Sequence, residues 1–188
     1  MTAVKLLIAG LLVALPAAAQ TTEATRLPGD EAPPALSVML RPPSGRPLPP
    51  PDTTPAVPQS LASEAAEAAL STCAAQGLRV GIALTDTAGY LRVGLATDGA
   101  GPGTIYGAVR KDLSVIEFRQ PTSIIQDHLR ADASLAARVR PNMEVRPGAV
   151  PIVGPHGLLG ALGVDGATAQ QDEACASAGV AKIRARLN

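Results

Sequence analysis

The chain has 188 residues, with 16 basic and 16 acidic side chains and a formal net charge of zero. That length holds one ordinary domain plus tails. The balanced charge, the absence of a Lys/Arg run and the presence of only two Tyr, one Phe and no Trp exclude the basic, ring-bearing surface that nucleic-acid binding uses.

Lys5 precedes an uncharged apolar run from Leu6 to Leu15, and Pro16-Ala17-Ala18-Ala19 follows with small residues where a signal peptidase cuts. This pattern predicts a secretory signal peptide over residues 1–19 and a periplasmic or secreted product. A run of that length spans about 15 Å as a helix, about half a bilayer core, so no membrane anchor is expected after cleavage.

Residues 20–59 hold eleven prolines between Pro28 and Pro58, including Pro49-Pro50-Pro51. Proline removes backbone donors and fixes φ, so the stretch predicts a proline-rich disordered linker with polyproline character. The domain is expected over residues 60–188. Ser60 is positioned to cap a helix running to Gln76, with Gly77 as its stop. Val80, Ile82 and Leu84 alternate within a strand ending at Asp86, which is expected to shape the following turn through its backbone N–H groups. Tyr90 to Ala96 returns as a second strand.

After the glycine-rich loop at 98–103, Thr104 to Phe118 reads as a helix with Ile105, Val109, Leu113 and Ile116 on one side. Shorter helical turns follow to Arg130 and over 132–139. A short strand fits near Met143 to Arg146. Val150–Val153 and Leu158–Val164 form a second hairpin about Gly154-Pro155-His156-Gly157. The last helix starts at Thr168, where Thr168 and Gln171 match a capping box and Asp172 and Glu173 suit the positive dipole end. The order α-β-β-α-α-β-β-α predicts an α/β (α+β) single domain, a mostly antiparallel sheet flanked by helices.

Cys73 and Cys175 are the two cysteines. In an oxidising compartment an even pair points to a disulfide, which would make the first and last long helices neighbours. A metal centre needs more ligands at shorter spacing, so none is expected.

Gly77-Leu78-Arg79-Val80, Asp86-Thr87-Ala88-Gly89-Tyr90-Leu91, Asp98-Gly99-Ala100, Lys111, Ser114, Phe118-Arg119-Gln120-Pro121-Thr122, Gly148 to Ile152, Gly160 to Val164 and Gln171 to Cys175 occur in one order without a large gap. Over about residues 60–183 the chain resembles the GlcG/HbpS family, also known as haem-degrading HbpS-like and as the C-terminal domain of PduO. The cysteine pair resembles an exported subset of that family. The resemblance implies a five-stranded antiparallel sheet, assembly as a dimer or octamer, and in some members binding of haem or another tetrapyrrole. The chain differs from the family pattern at Tyr90, where His is frequent, and at Ala96-Thr97, Ser114 and Asp165-Gly166-Ala167.

Haem needs an apolar slot and an axial ligand. His128 and His156 lie in no ligand motif, so Tyr90 and Tyr106 are the better-placed donors. Arg110, Lys111 and Ser114, with Asp98 from the preceding loop, form a cluster suited to a carboxylate or a haem propionate; a solvated helix face with exposed ion pairs is the structural alternative. No Gly-x-Ser-x-Gly elbow, P-loop, His-Glu-x-x-His or paired-carboxylate motif is present. These residues favour an exported sensor or accessory module that binds a small ligand, with haem the leading cofactor candidate. The alternatives are an enzyme of low specificity acting on haem or a small oxo-acid, and a purely structural oligomeric partner.

Overall fold

A computed structural model describes residues 54–187. The expected signal peptide and the expected linker as far as residue 53 lie outside the described residues. The elements run α1 (Gln59–Ala74), β1 (Gly81–Asp86), β2 (Leu91–Ala96), α2 (Thr104–Phe118), α3 (Thr122–Ala131), a 3-10 turn (Ala133–Arg138), β3 (Ala149–Gly154), β4 (Gly157–Asp165), α4 (Ala169–Ile183) and a final 3-10 turn (Arg184–Arg186). The order and type of the main elements follow the sequence periodicity.

The sheet is fully antiparallel, in the order β2-β1-β4-β3. It has four strands among the described residues, not five. The segment expected to supply a short strand, Met143 to Arg146, pairs with no sheet edge. Glu144 N–H donates to the Arg110 carbonyl on α2, and Arg146 N–H donates to the Glu144 side chain. With its donors engaged there and prolines at 141 and 147, the segment crosses α2 as a strap.

Helix α1 begins one residue before Ser60. Pro58, at φ −52° and ψ 137°, holds the N-cap position with no side-chain cap. At the other end Gly77 takes φ +70°, and Leu78 N–H donates to the Cys73 carbonyl, which closes the helix. The first hairpin turns on Asp86, whose carboxylate accepts from Ala88 N–H and Tyr90 N–H at 3.0 and 2.9 Å. The capping box of α4 forms as expected, with Thr168 and Gln171 each accepting the other's backbone N–H.

Helices cover both faces of the sheet. One face sends Ile82, Leu84, Val150, Ile152, Leu162 and Val164 into the main core beneath α1 and α4. These helices approach closely through small residues. A Cβ at Gly179 would lie 2.5 Å from the Ala65 carbonyl oxygen. Cys73 and Cys175 join the two helices as a disulfide with Cα atoms 5.7 Å apart. On the other face lies α2, over a floor that includes Gly81 and Gly163. A Cβ at Gly163 would meet the Ala108 carbonyl at 2.6 Å, and one at Gly81 the Ile105 amide nitrogen at 2.4 Å. Backbone therefore packs directly on backbone. This seating rotates α2 so that Ala108, Lys111, Asp112, Ser114 and Val115 are buried. The apolar row Ile105, Val109, Leu113 and Ile116 stays half-buried along its flank.

Candidate functional site

Lys111 projects from the middle of α2, and its side chain is 2% exposed. Its ammonium group donates to the Val164 carbonyl at 2.9 Å and pairs with Asp165 at 2.7 Å and Asp172 at 2.9 Å. An ammonium has three donors, and all three are engaged inside the chain. Burial raises the Asp172 carboxyl above the usual range, against the opposing pull of Lys111. Asp172 also accepts from Ala167 N–H at 3.1 Å. The centre therefore locks α2 to the end of β4 and the first turn of α4.

Ser114, one turn on, donates to the Glu144 carbonyl at 2.8 Å. Arg110 donates to the Met143 carbonyl at 3.2 Å. Both side chains hold the strap. The Arg110 guanidinium also lies 6.0 Å from the centre of the Tyr106 ring. Burial raises Glu144, but Arg146 and Arg110 outweigh it and hold the carboxyl below its ordinary value.

A second polar centre joins three segments. The Thr122 hydroxyl accepts from Gly148 N–H and Ala149 N–H, each at 2.9 Å. Glu173 accepts from the Thr122 hydroxyl at 3.1 Å and from Ser123 N–H at 3.0 Å. Thus Glu173, on α4, caps α3.

The six expected site residues fall in four places. Arg110, Lys111 and Ser114 stay together on α2. Asp98 is exposed beyond β2 and lines a groove of about 380 Å³ with Leu70, Leu78, Arg79, Ala96 and Thr97. Tyr90, 64% exposed, stands at the end of the first hairpin, and Tyr106, 44% exposed, on the first turn of α2. Along α2, Tyr106 and Leu113 are about 10 Å apart. The Leu113 side chain reaches within 3.0 Å of where a Gly89 Cβ would stand, and Ile105 and Leu91 lie at 3.4 and 3.5 Å from a Cβ at Gly94. Ile105 and Leu113 on the α2 flank and Leu91 on β2 therefore form an apolar strip beside the first hairpin. Arg92 on β2 is 36% exposed and pairs with Asp86 at 3.4 Å. His128 and His156 are exposed on α3 and in the β3–β4 turn.

Sequence reasoning did not identify Asp165 and Asp172 as partners of Lys111, or Glu173 as the cap of α3. They lie 50 residues or more from those partners, and only the fold joins them. The one local clue was the clustering of small residues in β1 and β4, which marks strands that a helix approaches closely.

Residues 57–181 match the family described as haem degrading protein HbpS-like. The chain belongs to this HbpS-like family. The crystal structure of HbpS is 28% identical, with a TM-score of 0.63 over 70% of this chain and 93% of that one. A double mutant of Streptomyces reticuli HbpS gives the same identity and TM-score over 74% and 97%. The PduOC:haem complex shares the fold at 19% identity and a TM-score of 0.62, over 68% and 95%. No curated protein matches. Within this HbpS-like chain, most of the residues that carry the family resemblance form framework: the Lys111 centre, the Thr122–Glu173 centre and the Asp86 turn.

Proposed function

We propose that this chain is an exported, periplasmic or secreted accessory protein that binds haem or another tetrapyrrole on the strip between β2 and the flank of α2. The observation that carries this reading is the placement of the tyrosines. Only three aromatic residues exist in the chain. Two of them, Tyr90 on the first hairpin and Tyr106 on α2, are exposed rather than in the core, as is Leu91. A planar apolar ligand gains by covering such a surface. The donor set fits haem. A phenol oxygen can ligate its iron, and Arg110 and Arg92 supply cations for propionates. Bound there, haem would supply an iron centre held by Tyr90 or Tyr106. Family membership and the 28% identity to HbpS support the same reading. The row Ile105, Val109, Leu113 and Ile116 also suits a second copy of the chain, consistent with a homo-oligomer.

The test is a haem titration followed at the Soret band, with size-exclusion chromatography on the same samples. A saturable shift near one haem per subunit or per dimer is expected, with the band displaced in Tyr90→Phe or Tyr106→Phe. Both positions are exposed, so neither change disturbs the core. A broad, non-saturating shift from a folded sample would remove haem as the ligand. Consumption of haem over time would instead establish an enzyme.

A further inference from the structure

Next to the Lys111 centre lies a buried carboxyl with no role in it. Asp112 is 0% exposed and sits between α2 and the sheet. Its Oδ1 would lie 2.6 Å from a Cβ placed on Gly163, so the carboxyl rests against bare β4 backbone. Thr85, from β1, is a further buried polar side chain on this face. Neither Asp112 oxygen nor the Thr85 hydroxyl makes a hydrogen bond of normal geometry.

The charged groups on the surrounding elements are committed elsewhere. Lys111, its neighbour on α2, is held by Asp165 of β4 and Asp172 of α4. Asp86 of β1 serves its own turn and pairs with Arg92 of β2. Asp127, His128 and Arg130 of α3 are exposed. An ionised carboxylate buried without a partner is far costlier than its neutral form, so the group keeps its proton instead. Burial accordingly pushes Asp112 well above the ordinary carboxyl range and outweighs the opposing pull of Thr85 and Lys111.

We propose that Asp112 remains a neutral carboxylic acid in the native fold, which makes the seating of α2 on the sheet a proton-dependent joint. The sign follows from linkage. The folded chain holds a proton that the unfolded chain releases near pH 4. The stabilisation is complete below that pH and is lost as pH rises towards the folded-state value. Within this window the unfolding constant gains one factor of ten per pH unit from this group.

The experiment compares urea unfolding of the full chain and of Asp112→Asn from pH 4 upward. The ratio of their unfolding constants is expected to rise about tenfold per pH unit and then level off. A pH-independent ratio would overturn the proposal. Should the Asn variant not fold, carboxyl ¹³C NMR of the unmutated chain decides. The Asp112 signal is expected to stay at its protonated position after the exposed aspartates have titrated. Titration of Asp112 together with them would overturn the proposal.

Discussion

Lys111 and Thr122 show what single side chains do here. Lys111 looks in the sequence like a ligand-facing cation, because its i, i+3 spacing to Ser114 gives a polar helix face. The structure turns that face inward, and the charge becomes an internal tie. Sequence patterning expects α2 to bury its apolar row; the glycine floor of β1 and β4 overrides it by seating the helix backbone against the strands. Lys111→Met leaves Asp172 buried without its cation, and breaking a buried pair on one side costs about 3–5 kcal/mol. Urea unfolding at neutral pH should report a loss of that size. A drop below 1 kcal/mol would mean the centre is solvated and weak. Thr122→Val removes a hydroxyl that satisfies two backbone N–H groups. Gly148 N–H keeps Glu173 as a second acceptor, but Ala149 N–H is left without a partner, and a buried donor in that state costs about 1–3 kcal/mol, so the variant should lose about that much. Thr122→Ser keeps the acceptor and should recover most of it in the same assay.

At the scale of elements, the readable parts were those with local signals. Asp86 and Gly89 mark the first hairpin, Thr168 and Gln171 the start of α4, and Gly77 the end of α1; each acts within about five residues of itself. The strap over α2 was not readable. Met143 to Arg146 has the composition of a short strand, but its fate depends on the Arg110 carbonyl and the Ser114 hydroxyl, some 30 residues earlier. The strip proposed to bind the ligand was readable only in part. Tyr90 and Tyr106 stand out as rare aromatics, yet their relation depends on how α2 lies against β2. Leu113 and Ile105 enter the strip because Gly89 and Gly94 leave room beside them.

For the whole molecule, the disulfide ties together the two long helices that are furthest apart in sequence among the described residues. Cys73 and Cys175 are 102 residues apart in sequence. Between them lie the whole sheet, α2 and α3, so the bridge closes nearly the full domain into one loop. Its main effect falls on the unfolded chain, which loses conformational freedom when the ends of such a loop are fixed. The chain-entropy model gives about 4.7 kcal/mol for a loop of about 100 residues. That is a large share of the 5–15 kcal/mol typical of a domain. The native contacts around the bridge are already dense. Ala62, Ala65, Ala66 and Ala69 of α1 face Ala176 and Gly179 of α4 in a fully buried seam. If that seam suffices without the covalent link, the double variant Cys73→Ala/Cys175→Ala folds with its secondary structure intact, which is the expected outcome. Its urea midpoint should fall by the equivalent of about 3–5 kcal/mol, and reductant should shift the unmutated chain towards the same midpoint without affecting the variant. A variant as stable as the oxidised chain would show that the alanine seam alone holds α1 against α4. A variant that unfolds outright would show the opposite, that the small-residue seam cannot hold the two helices together without the bond.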